Sequence, residues 1–359
     1  MTRRPLHLIL SLLLTYAAGT SLSAQPLRTA GLPDYPQPLG VSAPFAGFVG
    51  SKLVVAGGCN FPGKPAAEGG QKAYYADAYA LDVAQDSLYW TPLPYPLPAP
   101  TAYGAAVATP EGLICLGGQG PDGPRSSVVW LKADGCHSLP ALPAPIDNGG
   151  AALCGSILCA TGGNQPGGGK ALYALDLDAP DGWRRLSDYP GPQRVQPVVI
   201  GTPGALYVAG GYAFDASGPA CTPSTDLLRY DLATDTWSHA GSLPAEADGT
   251  PRCLAGGSGV YADGKLWMTG GVNLAIFRQA MEGRAPKDYM TKTVAWYRFN
   301  DDLLAYDPAA GTWQTIADVP GLARAGGVLL ARGSLLYMVC GETKPGIRSP
   351  QITVVSRQR

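Results

Sequence analysis

The chain has 359 residues, 46% apolar and 15% charged, with 26 basic against 27 acidic side chains. Balanced charge excludes a nucleic-acid surface or a polybasic membrane patch as the organising feature. Only His7, His137 and His239 are present, which leaves a His-rich metal centre or a Ser-His-Asp triad little to draw on.

Arg3 and Arg4 precede an apolar run from Leu6 to Ala18, and Ser21, Ser23 and Ala24 are small. This three-part layout predicts an export signal over residues 1–24, cut near Ala24 and too short for a comfortable membrane span. No later segment has the roughly 18 consecutive apolar residues a membrane helix needs. The expectation is an exported protein, periplasmic or secreted, with no membrane span and with residues 25–359 as one folded domain. The 48 glycines and 34 prolines are spaced between apolar runs, so disorder is a poor reading.

From residue 52 onward an apolar run ending in a glycine pair recurs. LVVAGG ends at Gly58, LICLGG at Gly118, ILCATGG at Gly163, LYVAGG at Gly211 and LWMTGG at Gly271. A sixth copy, LLYMVCGE, keeps Gly341 and carries Cys340 in place of the first glycine. A strand and a tryptophan follow most copies: YALDV before Trp90, YALDLD before Trp183, LLRYDLATDTW to Trp237 and LLAYDPAAGTW to Trp313. Proline turns such as Leu243-Pro244 and Val319-Pro320 close the units. Cys115, Cys154, Cys159 and Cys340 fall inside apolar strand-like runs, the setting of a buried free thiol. No cysteine pair has a zinc spacing, and neither a metal nor a cofactor is expected.

This period resembles the kelch repeat, whose unit is a four-stranded propeller blade. Six copies imply an all-β, six-bladed kelch-type β-propeller. In such a blade the glycine pair ends the second strand, and the aromatic of the third strand and the Trp of the fourth fill the space between blades. After Gly341 only ITVVSRQR remains, enough for a third strand of the last blade. The missing strand lies at the other end: PLRTAGLP, ending at Pro33, matches the HAGSLP and TIADVP segments that close other blades. Residues near Leu27 to Leu32 should therefore pair with Ile352 to Ser356, so that the mature N-terminus closes the last blade and removes an exposed edge.

Insertions at residues 59–74, 212–224 and 272–298 account for the long repeats and should open on one face. Polar groups collect there: Asn60 and Lys64 after the first glycine pair, Gln119, Asn164, Asn273, and Glu342, Lys344 and Arg348 after the sixth. The segments leading into the first strands add Tyr103, Arg194, Gln196, Arg252 and Arg324. Amides, arginines and tyrosines around one carboxylate suit a polyhydroxylated anion. Arg194 and Arg252 have bridging between neighbouring blades as a competing role. Asn60, Asn164 and Asn273 follow glycines and are also common turn residues.

GETKPGIRS, Gly341 to Ser349, resembles the glutamate–lysine–proline–glycine–arginine motif of bacterial N-acetylneuraminate epimerases, the sialic acid mutarotases. TGGVNLAIF, Thr269 to Phe277, is also similar to that family, as is the insertion leading to FNDDLLAYDP. The block order resembles the cyclically permuted mutarotase branch, in which AGGxNFPxKP and EGGxK are typical. Gly57 to Pro65 and Glu68 to Lys72 fit those patterns. The resemblance implies an isomerase that exchanges sugar anomers by acid–base ring opening. Glu342 matches the catalytic carboxylate and Arg348 the arginine, here assigned to the sugar's carboxylate. Asn60, Lys64, Tyr103, Asn164, Arg194, Arg252, Asn273 and Lys344 are the expected substrate-binding residues, with Lys344 a neighbour able to tune Glu342. Two positions depart from the family pattern: Thr101 stands where an arginine is expected, and Gln119 where a glutamate is common. The alternative function is a non-catalytic extracytoplasmic kelch module that binds carbohydrate or protein. The sequence does not set the oligomeric state.

Overall fold

The computed structural model describes residues 29–214 and 220–357. The expected export signal and Leu27 lie outside the described residues. Six four-stranded antiparallel sheets stand as blades around a central channel. Their innermost strands are Phe45–Val49, Ala105–Ala108, Gly150–Cys154, Val198–Thr202, Gly257–Ala262 and Val328–Arg332. Each packs against the next, and the sixth packs against the first, so the ring is closed. The fold is a six-bladed β-propeller.

Blade 1 shows why the second strands read as unbroken apolar runs. In Lys52–Ala56, Leu53 and Val55 face blade 6, in a cluster with Tyr337, Val339 and Ile352. Val54 and Ala56 face blade 2, in a cluster with Leu113, Cys115 and Leu131. Blade 4 does the same: Leu206 and Val208 pack toward blade 3, while Ala205, Tyr207 and Ala209 pack toward blade 5. Strands covered on both faces need no polar alternation. The core is thus six wedges, one at each blade–blade junction, rather than one central mass.

The recurring tryptophans join blades with a polar bond as well as with area. Trp90 donates its indole N–H to the Pro33 carbonyl at 3.0 Å, Trp183 to Pro140 at 2.8 Å and Trp237 to Ser187 at 2.8 Å. Each acceptor follows the outer strand of the preceding blade. Such a bond contributes about 1 kcal/mol in addition to the buried ring.

Blade 6 is assembled from both ends of the chain. Thr29–Leu32 pairs with Ile352–Ser356 in the register Thr29 to Val355 and Leu32 to Ile352. The linker that follows lies along the other terminus: Tyr35 donates its N–H to Pro350 at 2.8 Å, and Gly341 to Val41 at 2.9 Å. All eight cysteines are free, seven of them buried.

Two rings of backbone hydrogen bonds fasten the blades at one end of the channel. In the outer ring the second glycine of each pair donates to the segment leading into the next blade. The distances are 2.9 Å for Gly58 to Thr101, 2.7 Å for Gly118 to Ile146, Gly163 to Arg194 and Gly211 to Cys253, and 2.8 Å for Gly271 to Arg324. Gly341 to Val41 closes it. The inner ring is made by one residue per blade in the left-handed conformation: Ala43, Tyr103, Asn148, Gln196, Gly256 and Gly326, with φ between 52° and 72°. Tyr103 donates to Ala43, Asn148 to Tyr103, Gln196 to Asn148, Gly256 to Gln196, Gly326 to Gly256, and Ala43 to Gly326, at 2.6–3.2 Å.

The glycine pair is required by this geometry. At Gly210, φ is +61° and an added Cβ would lie 2.0 Å from the Cys253 carbonyl oxygen of the next blade. Gly204, in a hairpin turn at φ +83°, has open space around its missing Cβ. Gly204→Ala should cost about 1–2 kcal/mol, the strain of a left-handed alanine alone. Gly210→Ala should cost clearly more, because it also forces two blades apart. Denaturant melts of both variants check the ordering; equal losses would contradict it.

Candidate functional site

A cavity of about 870 Å³ fills the channel and opens at the end carrying the two rings. Its shaft is lined by inner-strand residues such as Ala106, Ala108, Ala152, Val199, Ile200 and Leu330. Its mouth bears Glu342, Arg348, Lys72, Tyr103, Asn148, Gln196 and Asn273. One wall of the mouth is apolar and comes from the insertion at residues 272–298, through Ile276, Phe277, Met281, Tyr289 and Tyr297.

Glu342 sits where it does because of the repeat. The residue after each glycine pair bridges to the residue just before the inner-ring position: Cys59 with Ser42, Gln119 with Ala102, Asn164 with Asp147, Tyr212 with Val195 and Glu342 with Ala325. The Glu342 N–H donates to Ala325 at 2.7 Å, and the Ala325 N–H returns to Glu342 at 2.9 Å. The chain then turns in a hairpin, Glu342–Lys344 against Ile347–Arg348, which places Arg348 opposite Glu342. Glu342 Oε1 accepts from Arg348 Nη1 at 2.9 Å and from the Gly346 N–H at 2.5 Å. The guanidinium is held over the Phe61 ring at 4.7 Å, and its Nε is buried without a partner among the described residues.

Burial pushes the Glu342 carboxyl above its ordinary range, while Arg348, the Gly346 N–H and Lys72 pull the other way. Burial is the larger effect, so the group titrates closer to neutrality, as a group that takes and returns protons requires. Tyr103 stands on the inner ring with φ +61°. Its hydroxyl accepts from Lys72 Nζ at 2.8 Å and lies 3.3 Å from Cys59 Sγ. Burial raises its pKa foremost; Cys59 and Glu342 add to this and Arg348 opposes it.

Of the ten residues expected at the site, the structure brings Glu342, Arg348, Tyr103 and Asn273 into the cavity wall. Asn273 also caps the helix Leu274–Met281 by accepting from the Ile276 N–H at 3.2 Å, and its amide donates to Glu246 at 3.1 Å. The other six are outside the wall. Asn60 is buried, donating to the Gly40 carbonyl at 2.8 Å and accepting from the Tyr75 hydroxyl at 2.7 Å, which pins the first insertion. Lys64 is exposed on that insertion. Asn164 donates to Asp147 at 2.7 Å. Lys344 turns away from Glu342 and donates to the Lys292 carbonyl at 2.6 Å, joining its hairpin to the 272–298 insertion. Lys72, which the EGGxK pattern contains, takes the place expected of Lys344 beside the carboxylate.

Arg194 and Arg252 correct the expectation most sharply. Both are 2% exposed and turned into their own blades, Arg194 onto Asp226 at 2.7 Å and Arg252 onto Asp302 at 2.6 Å. Arg194 also donates to the Gly210 carbonyl at 3.2 Å. In blade 6 Arg324 fills the same place, donating to Cys340 at 3.1 Å and to Gln351 at 2.6 Å. Arg194 and Arg324 thereby satisfy the carbonyls of Gly210 and Cys340 at the glycine turns, whereas Arg252 bonds to Asp302. Thr101 occupies the corresponding position of blade 2, so the missing arginine there removes no group from the mouth. Arg194→Met and Arg252→Met should each cost about 3 kcal/mol, since a half-buried aspartate loses its partner. Ligand affinity of the folded variants should stay at the wild-type value in calorimetric titration; a loss without destabilisation would contradict this placement.

Four likenesses to known proteins place the chain. The family described as N-acetylneuraminate epimerase matches residues 139–359, from the outer strand of blade 2 to the C-terminus. The N-acetylneuraminate epimerase of Haemophilus influenzae strain PittEE is 34% identical over 228 residues, which are 60% of this chain and 58% of that protein. That of Yersinia enterocolitica is 32% identical over 199 residues, 51% of this chain and 49% of the relative. A solved structure described as that of YjhT superposes with a TM-score of 0.50 at 30% identity, covering 58% of this chain and 62% of the other. The matched part thus spans less than two thirds of the relatives' own length; the family match over residues 139–359 contains both Glu342 and Arg348. The chain belongs to the N-acetylneuraminate epimerase family.

Proposed function

We propose that this protein is a mutarotase that interconverts the anomers of N-acetylneuraminate by acid–base ring opening. The observation that carries the reading is the Glu342–Arg348 pair, fixed across a two-stranded hairpin in the wall of a cavity large enough for a sugar. Glu342 takes the proton of the anomeric hydroxyl as the bond from the anomeric carbon to the ring oxygen breaks. The ring oxygen gains a proton and the open-chain keto sugar forms. Rotation next to the carbonyl presents its other face, and reclosure returns both protons. Arg348 carries the sugar's carboxylate, for which a fixed, permanently charged fork is suited. The apolar wall of Ile276, Phe277 and Met281 offers contact to the acetamido methyl group.

The reading includes the exported location, periplasmic or secreted, that residues 1–24 suggest; intact-mass analysis finding those residues retained would remove it. It also includes the permuted block order. A family match limited to residues 139–359 is what a colinear comparison would find if the N-terminal blocks had moved from the far end of the relatives.

Proton NMR on freshly dissolved N-acetylneuraminate, corrected for spontaneous exchange, tests the activity directly. Glu342→Gln keeps size and hydrogen bonding and should lower exchange by roughly 10²–10⁴. Arg348→Lys should act mainly on KM, because the charge persists and the fork is lost. A wild type that never exceeds the spontaneous rate would favour the binding-module alternative. The pH profile gives a separate check. The base must be ionised, so exchange should rise with pH through the Glu342 pKa, and that limb should lie above the usual carboxylate range because burial raises it. A midpoint at or below an ordinary glutamate value would contradict the assignment.

A further inference from the structure

One carboxylate accounts for the hydroxyl proton but leaves the ring oxygen without a donor of its own. Tyr103 is the one titratable side chain among the six inner-ring residues, the others being Ala43, Asn148, Gln196, Gly256 and Gly326. A left-handed backbone is uncommon for an aromatic residue and is held here only because the ring bonds on either side over-determine it. The conformation places the phenol in the cavity wall that Glu342 and Arg348 share. Lys72 Nζ donates to its oxygen at 2.8 Å and stands over the edge of its ring, 4.7 Å from the centroid. The groups acting on the phenol are therefore Lys72, Cys59, Glu342 and Arg348.

We infer that Tyr103, held by Lys72, is the proton donor to the ring oxygen of the sugar, acting opposite Glu342. The inference rests on the mutarotase reading above. On opening, the phenol proton passes to the ring oxygen, whose bond to the anomeric carbon breaks. The anomeric hydroxyl gives its proton to Glu342, and its remaining pair forms the ketone. On closure the new hydroxyl returns its proton to the phenolate as it attacks the carbonyl, and the carbonyl oxygen recovers a proton from Glu342. No electrons are gained or lost, and both residues end as they began. Burial keeps the phenol protonated in the resting protein, and the Lys72 ammonium stabilises the phenolate as it forms.

The test is anomer exchange by the full protein with N-acetylneuraminate, followed by NMR together with thermal melts. Tyr103→Phe removes only the hydroxyl and should lower kcat by roughly 10²–10⁴ with KM within about twofold, the signature of a group used in the proton transfer. Lys72→Gln should also lower kcat, and it should move the acid limb of the pH profile upward, because Glu342 loses a nearby positive charge. Lys72→Arg should restore both, which a merely structural role for the lysine would not require. A folded Tyr103→Phe with wild-type kcat, measured beside an active wild type, overturns this assignment alone. If that variant does not fold, Lys72→Gln decides: unchanged kcat and an unmoved acid limb overturn the assignment. A wild type without exchange overturns it together with the function on which it rests.

Discussion

Six backbone hydrogen bonds, passed hand to hand by six left-handed residues around the channel, fix everything else in this molecule. A strand ladder holds each blade internally, but it cannot say how blades sit relative to one another. The inner ring does, because each N–H and each C=O of its members is committed to a neighbour in a different blade. Only four residues of this ring carry side chains, and two of those are amides linked to each other, Gln196 donating to Asn148 at 3.1 Å. The mouth is therefore a rigid rim of backbone on which a few side chains stand. Such a rim suits chemistry that depends on placement within a fraction of an ångström.

The site is asymmetric on this near-symmetric frame. The same repeat position holds Cys59, Gln119, Asn164, Tyr212, Val272 and Glu342 in the successive blades. The carboxylate appears once, at blade 6, and the side chains around it come from blades 6, 1 and 2. Arg348 follows in its own hairpin, Phe61 and Lys72 come from the blade 1 insertion, and Tyr103 leads into blade 2. Blade 5 supplies the adjoining apolar wall, its insertion joined to the blade 6 hairpin by the bond from Lys344 to the Lys292 carbonyl. Gly346, at the hairpin tip, fits between the two insertions, its Cα side facing Ala66 and Met290. The hairpin is thus clamped by neighbours rather than free to swing, which keeps Glu342 and Arg348 together in a partly buried setting where a charge pair has real strength.

Much of this was legible in the sequence, for physical reasons that differ by level. The glycine pairs announce blades because a glycine meets both the left-handed turn and the next blade's carbonyl without strain, so five pairs and the Cys340-Gly341 variant, in which Cys340 takes the turn at φ 53°, read out six blades. The strand missing after Ser356 and the orphan strand at Thr29 had one solution in a closed ring. Glu342 and Arg348 were recognisable as a motif, and a hairpin brings them together by simple register. Arg194 and Arg252 were not legible as staples. An arginine leading into a strand can point to the channel or to its own blade, and only partners 32 and 50 residues away, Asp226 and Asp302, decide it. Lys344 and Lys72 show the same limit: the lysine close in sequence turned outward, and the one brought by folding stands at the site. The apolar wall from residues 272–298 was visible as length but not as a surface, since its helix and 3₁₀ turns have no counterpart in the repeat.

The splicing of both chain ends into blade 6 also sets an order of events. Among the described residues Thr29–Leu32 is the first strand to be synthesised, and Ile352–Ser356, its ladder partner there, is the last. Throughout synthesis the five interior blades can form from contacts local in sequence, while the first strand waits without a partner. The final blade then demands the longest loop closure in the molecule, the slow class of contact in folding kinetics. Arg348 precedes Ile352 by only a few residues and Gly341 donates to Val41 across that seam, so the pocket lies on the closure itself. Closure of the propeller and completion of the site therefore depend on the same seam.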